Sequence, residues 1–152
     1  MRHIILFLTG MILAALTTQS QPIPEKTHAS NIQTVRINKK GAPLSPPVIV
    51  RHSGEQIQLS FDDLAGNTKT YSYKLIHCNA AWEPSDLFES DYIAGQYTGE
   101  IYHHESSFNT LKSYTHYWLN VPNETMKPTI SGNYTLMIYS NYDPSDTVLT
   151  RR

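Results

Sequence analysis

A single cysteine, Cys78, in 152 residues leaves no disulfide framework to build, so stability must come from apolar packing. Charge is equally sparse. Charged residues make up 16% of the chain, with twelve cations against thirteen anions and a net charge of −1. No basic stripe offers itself to phosphate, which argues against a nucleic-acid partner. Glycine occurs only seven times, and no phosphate-cradling Gly-rich loop, nucleophile elbow or zinc-ligand spacing occurs anywhere. No segment longer than two turns carries a helical apolar stripe. The one long uncharged run, "IILFLTGMILAAL" from Ile4 to Leu16, is too short to span a bilayer comfortably.

That run follows Met1-Arg2-His3 and gives way to "TTQSQP", the layout of a secretory signal: a basic end, an apolar stretch, small residues at the exit. Thr18 and Ser20 fit the small-residue positions before a cut ahead of Gln21, which assigns residues 1–20 to a signal peptide. The alternative, a short membrane anchor, is disfavoured by length. With no cysteine near the cut, a lipid anchor there is excluded. The mature protein is expected to be exported and soluble. It retains about 130 residues, one domain's worth, with a net charge of about −2. Residues 21–31, "QPIPEKTHASN", lack periodicity and are expected to form a flexible leader.

From Ile32 onward the pattern is that of strands. "IQTVRI" (32–37) alternates. "KKGAPLSPP" reads as a turn-rich link, and "VIV" (48–50) as a short strand. "QIQLSFD" sets Ile57, Leu59 and Phe61 against Gln56, Gln58 and Ser60, the clearest period-two signal in the chain. "TYSYKLIHC" places Tyr71, Tyr73, Leu75 and His77 on one side, with Thr70, Ser72, Lys74, Ile76 and Cys78 on the other. Further strands are expected at "EIYHH", "YTHYWLNV" and "GNYTLMIYS". About seven short strands broken by Gly, Pro, Asn and Asp predict an all-β fold, an antiparallel β-sandwich of immunoglobulin-like type over residues 32–152. Tyr134, following "SGN", sits where such folds place a tyrosine at the start of a strand.

Chemistry finds little purchase in this pattern. Adjacent strand residues point to opposite faces, so neither His77-Cys78 nor His103-His104 can easily grip one metal ion. Cys78 with a histidine is one conceivable nucleophile, but a lone cysteine in an apolar strand is usually a small core residue. Asp62-Asp63 and Asp86 with Asp91 follow no calcium-loop pattern and read as turn and capping residues. No catalytic residue, cofactor or metal is expected, and no small-molecule substrate.

What stands out is aromatic placement. All ten tyrosines and both tryptophans lie between Tyr71 and Tyr142. Part of this set must fill the core, and a surplus on one face would be a binding surface. The stretch "IHCNAAWEPSDLF" (76–88) is expected to be a strand end followed by a corner shaped by Trp82, Pro84, Ser85 and Asp86, with Trp82 closing the end of the core or else anchoring a partner. Trp82, Phe88, Tyr92 and Tyr97 are the candidate partner-binding residues. An alternative of a different class is a carbohydrate-binding module, for which Tyr92, Tyr97 and Tyr142 would be the stacking candidates.

The run "SGEQIQLSFDDLAGNTKTYSYKLIHCNAAWEPSDL", then "YIAGQYTGEI", "SFNTLKSYTHYWLNVPNE" and "PTISGNYTLMIYSNYDPSDTVLTRR", resembles the first domain of the plug protein of the type IX secretion system of Bacteroidetes. The likeness spans nearly all of residues 32–152. It is specific because "LSFDDL", "IHC-x-x-x-W-x-P-S-D-L", "SFNT" and "YTHY" recur in one order. The resemblance implies a periplasmic protein that docks on the mouth of the outer-membrane translocon barrel and closes it when no cargo passes, without enzymatic activity or cofactor. It also implies a longer chain continuing past Arg152, so the last strand is expected to be truncated and to leave an open edge.

Overall fold

The computed structural model describes residues 20–152, so the expected signal segment lies outside the described residues except for Ser20. Eleven strands and one helical turn follow in chain order: β1 (Lys26–Thr27), β2 (Ile32–Lys39), β3 (Ile57–Asp63), β4 (Tyr71–Cys78), α1 (Glu89–Tyr92), β5 (Ile93–Gly95), β6 (Gly99–Glu100), β7 (His103–Ser106), β8 (Thr115–Val121), β9 (Met126–Pro128), β10 (Asn133–Ser140) and β11 (Thr147–Arg151). Seven have four or more residues, against the about seven expected, though they are not all the same segments. The other four are pieces of two or three residues that carry too little pattern to be read.

Every pairing is antiparallel. One sheet has the order β1-β11-β10-β4-β6, a second β2-β3-β8-β7, and β5 pairs with β9 at the side. The sets β2-β3-β8-β7 and β4-β10-β11 reproduce the ABED and CFG sheets of a constant-type immunoglobulin sandwich. The core lies between them. Leu59 and Phe61 of β3, Tyr117 and Leu119 of β8, Tyr71, Tyr73 and Leu75 of β4, and Leu136 and Ile138 of β10 all meet there. In place of a disulfide the centre holds an aromatic trio. Phe61 stacks on Tyr117 at 5.3 Å between ring centroids, and Tyr71 meets both edge-on at 5.3 and 4.9 Å. Each such side chain contributes roughly 1.5–3 kcal/mol through burial. At the start of β10 the Tyr134 hydroxyl donates to the Ile130 carbonyl at 3.0 Å, the tyrosine corner of this fold.

Four expectations are corrected. Residues 48–50 form no strand: Pro46 and Pro47 remove two ladder donors, the Val48 N–H turns back to the Pro46 carbonyl at 2.8 Å, and Val48 and Val50 are exposed. The "EIYHH" strand is divided. Gly99–Glu100 pairs with β4 and His103–Ser106 with β8, so the chain changes sheets at buried Ile101. The leader is not free: Lys26 and Thr27 pair with Thr150 and Leu149, and the Arg152 guanidinium donates to the Ile23 carbonyl at 2.7 Å. β11 therefore has β10 on one side and β1 on the other, where an open edge was expected.

Candidate interaction surface

The stretch 76–88 is a corner. Asn79 organises it: its side-chain oxygen accepts from the Ala81 and Glu83 N–H groups at 2.8 and 3.1 Å, while its own N–H donates to the Glu83 carbonyl. The chain then returns alongside β4, with the Ser85 N–H on the His77 carbonyl at 2.9 Å and Ser85 Oγ 2.9 Å from His77 Nδ1. Turn-forming side chains that bond their own backbone are what "N-A-A-W-E-P-S" supplies. His77 faces Tyr134 and Tyr92, at 5.2 and 5.7 Å between centroids. Cys78 points the other way, buried, with its Sγ 3.5 Å from Thr135 Oγ1. The two side chains thus cannot share an ion. Among the described residues, no group of three or more His, Cys, Asp or Glu side chains is placed to hold a metal.

Of the four candidate partner-binding residues, two are open to solvent and two are not. Phe88, just before α1, is 79% exposed and Tyr97 41%. Tyr92 is a core residue instead, 5% exposed, packed on His77 and Tyr134. Burial raises its phenol above the ordinary tyrosine value, and raises that of Tyr134 to about 12. This correction also removes Tyr92 from any sugar-stacking set. Trp82 neither plugs the core nor stands free. It is half-buried, with a left-handed φ of 65°, its carbonyl accepting from Ile23 N–H and the Arg152 guanidinium lying 4.8 Å over its ring. It clamps the residues before β1 to the end of β11.

The opposite end of the sandwich gathers three loops. Residues 64–70 follow β3, 107–114 join β7 to β8, and 141–146 join β10 to β11. Pairings at the strand tips place them together: Asp63 with Thr115, and Tyr71 with Ser140. Their anchor is Asp63, fully buried at the edge of the core. Its carboxylate accepts from the Tyr71 hydroxyl at 2.8 Å, the Ala65 N–H at 2.9 Å and Asn31, and pairs with Lys69 at 2.9 Å. Burial works to raise its pKa, but the bonds from Ala65, Asn31, Lys69 and Tyr71 prevail and hold it below the usual carboxylate range. This bears out the reading of Asp63 as a turn residue. Phe108, Leu111 and Tyr142 stand exposed at this end. Sequence reasoning passed over Phe108 and Leu111 as loop. The signal was present: two large apolar residues in "SSFNTLKSY", too polar and irregular for a strand, have no ladder to bury them.

On the outer side of the β2-β3-β8-β7 sheet, Trp118 is roughly parallel to His103 and to His116, at 5.5 and 5.8 Å between ring centroids, with His116 held by Asp62. Beside it an open groove of about 440 Å³ is lined by Tyr73, Tyr102, His103, Trp118 and Asn120 among others.

The family model described as the Type 9 secretion system plug protein 1st domain matches residues 32–152. A crystal structure of a hypothetical protein from Parabacteroides merdae superposes with a TM-score of 0.82 at 29% identity, covering 86% of this chain and 33% of that one. The chain thus spans about a third of that relative's length. No curated protein matches it.

Proposed function

Because the chain belongs to the family of type 9 secretion system plug protein first domains, we propose that it is a non-enzymatic, periplasmic component of that system. In this reading it docks on the periplasmic mouth of the outer-membrane translocon barrel and helps to close it when idle. The observation that carries the reading is that the family match covers every strand of the sandwich from β2 to β11, Ile32 to Arg152, leaving out only the two-residue β1. Export is supported by the signal layout of residues 1–20. In this reading Phe88 and Tyr97 are exposed contacts, Trp82 steadies the 79–88 corner against the residues before β1, and Tyr92 is a core residue. A stable protein interface buries roughly 1,200–2,000 Å² in total. A domain of this size can supply its share of that but not span a wide pore, so it contributes docking rather than the whole seal. The test is recovery of the barrel from solubilised outer membranes on the tagged mature chain. Retention of the chain on polysaccharide, with no barrel recovered, would replace this reading with a carbohydrate-binding one.

A further inference from the structure

β7 closes its sheet with one side open. In the order β2-β3-β8-β7 no described strand lies beyond it, and all four of its residues, His103-His104-Glu105-Ser106, are exposed. Sheet edges are normally blunted, because their free N–H and C=O groups recruit other chains. The other edges here are blunted. β1 and β6 have two residues each, and β2 is broken by a bulge between Gln33 and Arg36, with Thr34 in the left-handed region at φ 53°. β7 has no bulge, proline or lysine. The Ser107 N–H donates to the Tyr114 carbonyl at 2.8 Å, so in the alternating antiparallel pattern Ser107, Glu105 and His103 bond to β8, while the N–H and C=O groups of His104 and Ser106 point away from the sheet. Side chains sort by face. His103 and Glu105 lie opposite Trp118 and His116 on the outer face, and His104 lies opposite Tyr117 on the other. Asp62 takes His116, and among the described residues neither His103 nor Glu105 has an ion-pair partner of its own.

We propose that β7 is a self-association edge: a second copy of this chain pairs with it antiparallel about a two-fold axis at His104, joining the two β2-β3-β8-β7 sheets into one. The sequence of the edge is complementary to itself. Two outward rows bond only where outward-pointing residues lie opposite each other, so the register can change only in steps of two residues. With His104 opposite His104, His103 of each copy faces Glu105 of the other, in the close kind of pair whose Cα atoms lie about 4.5 Å apart. The neighbouring registers set Glu105 against Glu105 or His103 against His103, so charge selects this one. On the outer face, Asp62, His116 and Glu105 of one copy then run into His103 and Trp118 of the other as a single row across the join. His104 Nδ1 is engaged with the Tyr102 carbonyl at 3.1 Å, a contact that leaves the main-chain groups of His104 free. Each copy has one such edge, so the two-fold closes the assembly at a dimer. A four-residue edge buries little area, and the association is accordingly weak, with a Kd on the order of 100 μM. It needs no barrel, so it stands or falls independently of the reading above.

Sedimentation equilibrium of the purified mature chain tests this, with far-ultraviolet circular dichroism confirming that each variant folds. The wild-type chain should dimerise, and His103→Glu, which opposes two carboxylates at each pair, should weaken the dimer about tenfold or more. The exchange His103→Glu with Glu105→His restores opposite partners and should recover most of the lost affinity, which a merely structural role for either residue would not produce. His104→Cys gives a second readout. On the two-fold its Cα lies about 5.5 Å from its mate, within disulfide reach, so mild oxidation should link two copies, whereas Glu105→Cys, displaced from its own mate along the strand, should link poorly. Cys78 is buried and does not interfere. A chain that stays monomeric up to about 1 mM, or a dimer indifferent to His103→Glu, overturns the proposal. In cells exporting the His104→Cys chain, a disulfide to a different protein in place of a second copy overturns the choice of occupant.

Discussion

Replacing Asp63 with alanine should be among the most damaging single changes available in this domain. The side chain is fully buried. Its loss strands the Tyr71 hydroxyl in an apolar site, frees the Ala65 N–H that starts the turn after β3, and leaves Lys69 without its partner. An orphaned buried donor costs about 1–3 kcal/mol and the lost Ala65 and Asn31 bonds add about 1 kcal/mol each, whereas Lys69, with 34% of its side chain exposed, returns to water and adds little. Against a total stability of about 5–15 kcal/mol that is a large fraction. Tyr71→Phe keeps three of the four partners and should cost about 1–2 kcal/mol. Combining the two removes the orphan along with its acceptor, so the double variant should fall short of the sum of the singles by about 1 kcal/mol or more. The pH dependence has a fixed sign. The folded-state pKa of Asp63 is depressed, so its contribution is complete above the unfolded value of about 4 and drains away as pH falls through the folded value. Urea unfolding followed by tryptophan fluorescence should therefore show the gap between wild type and Asp63→Ala narrowing from pH 7 towards about pH 3. A cost under about 1 kcal/mol at pH 7, or a gap of equal size at both pH values, would refute the assignment of Asp63 as the pin of this end.

Tyr134→Phe should lower stability by about 1 kcal/mol through loss of the bond to Ile130, with the circular dichroism spectrum unchanged. Gly95→Ala should destabilise more than an ordinary surface change: φ is 100°, and the added Cβ would lie 2.2 Å from the Thr125 carbonyl oxygen across the β5–β9 pair, so thermal unfolding should shift down by several degrees. Cys78 should label with a thiol reagent only after denaturation, and Cys78→Ala should cost on the order of 1 kcal/mol. Mass spectrometry of the exported protein should show a start near Gln21; an intact Met1 in a membrane fraction would contradict the signal assignment.

Sandwich architecture was legible wherever two-residue alternation ran long enough to be seen. β3, β4, β8 and β10 supply the core and were read nearly residue for residue, and Tyr134 was recognised by its place after "SGN". What escaped is long-range. Lys26 pairs with Thr150, 124 residues away, and nothing local in "PEKT" announces it. Ile101 looks like the middle of a strand and is a crossing between sheets. "VIV" has the β-branched composition of a strand but no neighbour to pair with, so composition misleads there. At the candidate surface, exposure was the missing quantity. Tyr92 and Tyr97 are both tyrosines in one irregular segment, yet His77 and Tyr134 draw the first into the core and leave the second in water.

The central claim is that this domain recognises the translocon barrel directly, and equilibrium binding of the purified chain to purified, detergent-solubilised barrel addresses it without the rest of the secretion apparatus. Saturable binding in the micromolar range, about 1–100 μM, is predicted for a single domain with a modest interface. Signal no greater than that of an unrelated immunoglobulin-type domain at the highest concentration reached would contradict it.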